Sequence, residues 1–425
     1  MRITDAAIIS DFLSSITRSK NRINRLNTQI VKGKILKVSD DPTAAGAILR
    51  ISEERTRFAA YKNNVVEVQT FLKTTTSGLG AVSDIIGDVK SLLSGAESSG
   101  DQLLLETLAG QVSEKLEAAM AVANQKIGSK YVLGGTHTTT QPFVSTGTPP
   151  QVSYMGDARS IQYQVGDGVS QVVNVSGAAA FASTGFVDLT GTLDRNAALN
   201  TVVSQSVQIT DGFGAVHSVV MNMRKTDANT WSISAALPPG ATDANLTGGT
   251  ATVTFDPTTG AMKEIVRGAP LVVTPTGATP GQTAPSINLL YSASGVAEGT
   301  PPGGSTLAGA QRNVSLFNKL MDISAKLRSG VKPSTEDTAM LNMMQNVVMR
   351  EEAKAGAYAA NLKTADEFLT AQNEHLADLY ASKAELNDVE LAEVAVRLKQ
   401  EQLMLDAALS AAANLIPKSL VDFLK

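Results

Sequence analysis

Chemistry needs reactive side chains held close together, and this sequence carries few of them. Its 425 residues include no cysteine and only three histidines, His137, His217 and His375. The missing thiol removes disulfides, a cysteine nucleophile and sulfur ligation of zinc. No carboxylate pair or second histidine stands at ligand or acid–base spacing around any histidine. His375 follows Glu374 in a helical stretch and reads as a solvated residue, whereas His217 falls in a strand pattern and reads as part of a sheet. Three further segments imitate known sites. Gly277–Thr283 has an internal proline, no lysine and the wrong spacing for a phosphate loop. Gly78-Leu79-Gly80 lacks the third glycine and the preceding strand of a dinucleotide fingerprint. Asp40-Asp41 stands directly before Pro42 and reads as a helix cap instead of a metal site. The expectation is a protein that is not an enzyme, with no catalytic residue, no cofactor and no metal.

If chemistry does not explain the chain, its elements must. Lys and Arg total 36 against 40 Asp and Glu, a net charge of −4 that offers no field for a nucleic-acid backbone. Hydrophobic residues make up 43%, enough to fold, and no run reaches the roughly 18 apolar residues of a membrane span. The opening Met1–Asp5, with Asp11 close behind, has no room for a signal-peptide apolar core, so any export must need no cleaved signal. Aromatics are only 4% and Trp231 is the single tryptophan, so the interior must come from Ala, Leu, Val and Ile.

Proline and charge divide the chain. Of 15 prolines, only Pro42, Pro333 and Pro417 lie outside residues 142–302. Residues 143–300 carry 16 charged side chains in 158, against 60 in the remaining 267. Proline ends helices, and sparse charge with Thr, Val and Gly suits strands. The expected fold is α+β, with long N- and C-terminal helices in a coiled-coil rod around a central, mostly antiparallel β insert. Expected domains are terminal helices at 1–40 and 386–425, a helical rod at 41–145 and 308–385, and a β region at 146–307.

Heptads mark both ends. Ile9, Ile16, Ile23 and Ile30 recur every seven residues, with Phe12 and Leu26 three places after Ile9 and Ile23. Ser19 interrupts that second row, and Gly33 ends the pattern. After Ser39-Asp40-Asp41-Pro42 a long helical pattern runs to Leu92, with Ser77–Gly80 as its expected weak point. A further helix is expected over Gln102–Ile127, capped by Asp101. Toward the other end, Ser334–Asp337 starts a helix expected to persist to Ala384, and Asn387 with Glu390 restarts it. There Leu391, Leu398, Leu405 and Ala412 recur every seven, with Val394, Ala408 and Leu415 three places on and Glu401 interrupting. The terminal helices could bury these seams against each other or against neighbouring copies.

The insert carries strand-sized runs. Val152–Tyr154, Ile161–Val165 and Gln171–Val175 form one group, and Ser206–Thr210, Val216–Met223, Thr230–Ala235, Ala251–Phe255 and Ile265–Val266 a second. Residues 274–306, with five prolines, are expected to be surface connections.

Several motifs together carry a family likeness. Met1–Thr4, Gly33-Lys34 followed by Ser39–Pro42, and the terminal heptads resemble the flagellin superfamily of bacterial flagellar axial proteins. Lys130-Tyr131-Val132-Leu133-Gly134-Gly135-Thr136, running on to Gln141-Pro142-Phe143, and Asn387–Glu393 with Ser419–Leu424 resemble its hook–filament junction branch. Gln208–Asp211, His217, Lys225-Thr226, Asn229–Trp231 and Thr254–Asp256 place residues 200–275 close to a β domain of the flagellar hook protein, although Asp211–Gly214 departs from its turn. That resemblance makes His217 and Trp231 fold residues.

It also implies a structural adaptor joining hook to filament, assembled as a homo-oligomeric ring beside another hook-associated protein and flagellin. Its location would be the extracellular flagellum after type III export, with an export chaperone on the C-terminal helix and no nucleic-acid partner. Its assembly residues would be Ile9, Phe12, Ile16, Ile23, Leu26 and Ile30 with Leu391, Val394, Leu398, Leu405, Ala408 and Leu415. A divergent flagellin building the filament, or an adhesin carried on a flagellin-like anchor, are the alternatives.

Overall fold

The computed structural model describes residues 5–32, 42–98, 101–211, 215–276, 285–384 and 388–415. Helices α1 (Asp5–Lys32), α2 (Pro42–Ser98) and α3 (Gln102–Ala123) come first. Small antiparallel pairs follow: β1 (Lys126–Ile127) with β2 (Lys130–Tyr131), β3 (Phe143–Thr146) with β4 (Gln151–Tyr154), and β5 (Gln162–Gly166) with β6 (Val169–Val172). After the short α4 (Gly177–Phe181) come β7 (Thr184–Asp194), β8 (Val202–Thr210), β9 (Val216–Asp227), β10 (Thr230–Ala236) and β11 (Ala244–Thr247). Next are β12 (Thr250–Phe255), β13 (Met262–Arg267), β14 (Leu271–Pro275), β15 (Ile287–Gly299) and β16 (Ala308–Asn313). Helices α5 (Leu316–Arg328), α6 (Thr335–Ala384) and α7 (Asp388–Leu415) close the order. The fold is the expected α+β. The Ser39–Asp41 cap, Gly33, Asn387, Gly277–Thr283 and the Ser419–Leu424 tail lie outside the described residues.

The chain forms two compact units, one of residues 1–63 and 366–425, the other of residues 64–365. In the larger unit α2 buries Val65, Val68, Leu72, Thr75, Leu79, Val82, Ile86, Val89, Leu93 and Ala96, an unbroken 3–4 alternation. Facing residues of α6, Leu341, Val348, Ala355 and Leu362, recur every seven and are also buried. Gln345 ties the two helices, donating to the Ser83 carbonyl at 3.1 Å and accepting from Lys90 at 3.0 Å. The expected weak point at Ser77–Gly80 stays helical. Its glycines mark close approach instead: a Cβ on Gly80 would stand 3.1 Å from Glu352, and one on Gly78 3.3 Å from Gln125. Packing along the helix outweighs the roughly 1 kcal/mol that each glycine costs.

Local side chains set the helix ends. Asp101 accepts from the Leu103 amide at 3.0 Å and caps α3 as expected. The helix stops at Ala123, short of Ile127, because the Asn124 side chain pairs with the Phe143 backbone. The Phe143 amide donates to Asn124 at 2.9 Å, and Asn124 donates back to the Phe143 carbonyl at 3.0 Å. Phe143 then sits in an aromatic cluster with Tyr154, Phe181 and Phe317, at ring distances of 5.0, 5.6 and 4.8 Å. Ser334 and Asp337 start α6 with reciprocal bonds of 2.8 and 3.1 Å, a capping box. Burial opposes ionisation of Asp337, but Lys319, the Ser334 amide and Lys326 hold its carboxyl well below the ordinary range.

The insert is a two-sheet sandwich. One sheet has the order β13-β12-β10-β9-β8, the other β11-β14-β15-β7-β16. Its strand pairs are antiparallel except β7 with β15, which run parallel. Alternate residues of the first sheet, Val207, Ile209, Val219, Met221, Met223, Trp231, Ile233, Val253 and Phe255, fill the space between them. Residues 274–306 differ from the expected surface connection. Ile287–Gly299 is the middle strand of the second sheet, with Ile287 through Ala293 buried in succession. A strand covered on both faces shows no alternation, and the prolines flank it without entering it. Its buried Glu298 accepts from the Trp231 indole at 2.9 Å, so the tryptophan's polar edge is satisfied inside the core.

His217 lies in β9, buried, and joins the two sheets. Its Nε2 is 3.1 Å from Asp211, which follows β8, and its Nδ1 is 2.7 Å from Asp243, which precedes β11. Burial favours the neutral ring, yet hydrogen bonds to both carboxylates outweigh it and raise the pKa above 6.5. The imidazolium therefore contributes fully below that ordinary value, and its contribution fades as pH rises through the raised one. Unfolding followed by Trp231 fluorescence should show stability falling from neutral to alkaline pH. His217→Gln should remove that slope and cost on the order of 1–3 kcal/mol below neutrality. An unchanged slope in the variant would discard the assignment.

Candidate assembly seams

The smaller unit brings the chain ends together: α1 packs on α7. On α1, Leu26 is 8% exposed, and Ile16, Ile23 and Ile30 are half-buried. On α7, Val394 is 8% exposed, with Leu398 and Leu405 half-buried. The side chains of Ile9, Phe12, Leu391, Ala408 and Leu415 lie outside the described residues, although their helices include them. Full burial of such a side chain is worth about 1.5–3 kcal/mol, so the half-buried positions leave part of that unrealised.

The two heptad rows have one polar interruption each, and these meet. Ser19 donates to Glu401 at 2.9 Å, and Arg22 lies 3.3 Å from the other oxygen of the same carboxylate. Both groups are taken largely out of water, so each needs the other. Leu26 follows Ser19 by seven residues and Val394 precedes Glu401 by seven, the spacing of an antiparallel pair centred on the polar contact. A one-turn slip would leave Glu401 facing an isoleucine or leucine, so the pair fixes register as a buried polar residue does in a coiled coil. The sequence showed Ser19 and Glu401 only as separate flaws. Their common seven-residue phase was the signal that they pair.

Elsewhere in this unit Leu369 and Leu376 of α6 are buried. Lys62 of α2 donates to Thr370 at 3.0 Å, and the Arg55 guanidinium lies 5.7 Å from the Tyr380 ring centre. A second apolar row escaped the heptad reading. Val396, Leu403 and Met404 of α7 are more than half exposed, away from α1. Among the described residues no group of three His, Asp or Glu could hold a metal ion, and no helix is long and apolar enough to cross a membrane. His375 is exposed on α6, as its position beside Glu374 suggested.

Comparison with known proteins gives a family for the sandwich. Residues 181–315, from just before β7 to just past β16, match the family model of the flagellar basal body protein FlaE D2 domain. The match contains the 200–275 segment whose motifs resembled a hook-protein domain and extends it on both sides. In fold, the chain is similar to flagellar hook associated protein-3 from Legionella pneumophila, at 17% identity, covering 80% of this chain and 100% of that one, with a TM-score of 0.49. It is also similar to the flagellar junction protein FlgL from the same organism, at 17% identity over 81% and 100% of the two chains, TM-score 0.45. FlgL from Xanthomonas campestris is a third, at 18% identity over 79% and 98%, TM-score 0.37. No curated protein matches the chain.

Glu401→Ala strands Ser19 and Arg22 and should destabilise the α1–α7 pair by about 1–3 kcal/mol in urea unfolding followed by helical circular dichroism. Ser19→Leu together with Glu401→Leu, which makes both rows apolar, should recover most of that loss. Equal losses in the two variants would show that the polar pair is not what matters.

Proposed function

We propose that this chain is a structural component of the bacterial flagellum, an adaptor that joins hook to filament. The observation that carries the reading is the match of residues 181–315 to a flagellar basal-body domain, inserted between terminal helices that pair through heptad seams. The work of such a protein is association, and several of its polar clusters serve structure: Ser19 with Glu401, Asp337 with its lysines, Trp231 with Glu298. The seam residues named from the sequence, Ile9 through Ile30 and Leu391 through Leu415, are the proposed assembly residues. Half-buried isoleucines and leucines in a pair already formed are what neighbouring subunits would finish covering.

In this reading copies form a ring next to another hook-associated protein and flagellin, after type III export. A chaperone on the C-terminal helix would shield the exposed Val396, Leu403 and Met404 beforehand. A chain without cysteine has no disulfide to trap it during unfolded passage.

Deleting the gene should leave bare hooks and release filament protein into the medium. Leu398→Asp should give normal amounts of chain but no incorporation into isolated flagella, since a carboxylate on a seam facing apolar residues costs several kcal/mol unless it is neutralised. Abundant Leu398→Asp protein in flagella would sink the seam assignment. Recovery of the wild-type chain as the bulk protein of sheared filaments would instead make it a flagellin.

A further inference from the structure

The sandwich has one covered face and one open face. On the outer side of its second sheet, Asn288, Leu290 and Ser292 of β15 are buried, and Arg350 of α6 donates to Asn288 at 3.2 Å. The outer side of the first sheet carries exposed polar side chains instead. Strand registers set Val202, Arg224, Ser232, Thr252 and Val266 in one row across its five strands. Two residues along, Ser204, Asn222, Ser234 and Thr250 make a second row. Alternation puts both rows opposite the core residues Met223, Ile233 and Val253. At about 4.8 Å per strand and 3.4 Å per residue, the rows cover on the order of 19 by 7 Å. An open depression of 480 Å³ lies on them, lined by Arg224, Ser232, Ser234, Thr250 and Thr252, with Arg267 at one end and no carboxylate. The exposed Arg224 guanidinium has no hydrogen-bond or ion-pair partner among the described residues, and neither have the hydroxyls of Ser234, Thr250 and Thr252. Arg267 is already committed, its Nε donating to the Tyr291 carbonyl at 2.9 Å. Glu264 stands a row further on, opposite Thr254 and three strands from Arg224. Val202 and Val266, 47% and 58% exposed, end the first row.

We propose that this face binds an acidic polysaccharide laid across the strands along the first row, with a sugar carboxylate on Arg224. A guanidinium grips a carboxylate through two parallel N–H···O bonds, and here no protein carboxylate competes for it. Serine and threonine hydroxyls both donate and accept, as the hydroxyls of a sugar ring do, so each can exchange a water for a ring hydroxyl. Val202 and Val266 give the C–H faces of the outer rings something apolar to rest on. A row that repeats at every strand suits a polymer that repeats its polar groups. A protein partner would instead need an apolar or aromatic centre, whereas these rows hold no aromatic and keep their apolar residues at the ends. A nucleic acid would need several cations where one is free. The site uses none of the helical seams and stands apart from the hook–filament reading.

The test is calorimetric titration of the purified full chain with a β-linked tetramer of glucuronic acid, against the glucose tetramer of the same linkage and free glucuronate. The acidic tetramer should bind at least about tenfold more tightly than either control, and more weakly as salt is raised. Arg224→Gln should weaken its binding at least about tenfold. Arg224→Lys should cost less, because lysine keeps the charge without the planar fork. Thr252→Val combined with Ser234→Ala should weaken binding severalfold with the charge intact. Trp231 fluorescence, which reports on the core beneath the face, checks that each variant is folded. A wild-type chain that does not bind the acidic tetramer, equal binding of the glucose tetramer or of free glucuronate, or unchanged binding by Arg224→Gln would each overturn the site.

Discussion

A long helix with an apolar stripe cannot stand alone in water, and every part of this protein answers to that constraint. α2 has 57 residues and α6 has 50, about 86 and 75 Å of helix. Helix propensity alone does not stabilise such elements, because most helical stability in proteins comes from burying one face. The Val65–Ala96 row of α2 and the seven-residue row of α6 are both buried, Gln345 bonds the two helices, and the Leu26 and Val394 rows bring α1 onto α7. Glycines at 78 and 80 are held within the helix by the burial of that row. The few aromatics follow too, since heptad seams are filled by Leu, Ile, Val and Ala.

Apolar seams are adhesive but nonspecific, and the buried polar pairs supply what they lack. Ser19 with Glu401 sets the register of the terminal helices. Lys319 and Lys326 converge on Asp337 and anchor the end of α5 to the start of α6. In the sandwich, Trp231 with Glu298 and His217 with its two aspartates tie one sheet to the other. Each pair would be costly with one member missing, so each disfavours packings in which the members do not meet.

Much of this was legible in the sequence where periodicity is strong. The terminal heptads, the Asp101 and Ser334 caps and the strands around Trp231 all follow from local pattern, because spacing and caps act within a few residues. The errors also share a cause. Ile287–Gly299 looked like a connection because a strand buried on both faces has no alternation, and prolines on either side suggested loop. Helix α3 ends early through Asn124 bonding to Phe143, nineteen residues away. Ser77–Gly80 looked weak because propensity does not register the long buried row of α2 in which the segment is held.

By itself, then, the sequence determined most of which stretches are helix or strand and which faces are apolar, properties of residue type and spacing. Tertiary structure alone decided the pairings: that Ser19 meets Glu401 across 382 positions, that β7 lies parallel to β15, and that Val396, Leu403, Phe368 and Val31 remain uncovered. Those depend on which surfaces come together. Any apolar stripe attracts any other, so period alone cannot choose between partners; steric fit and the need to satisfy buried polar groups do.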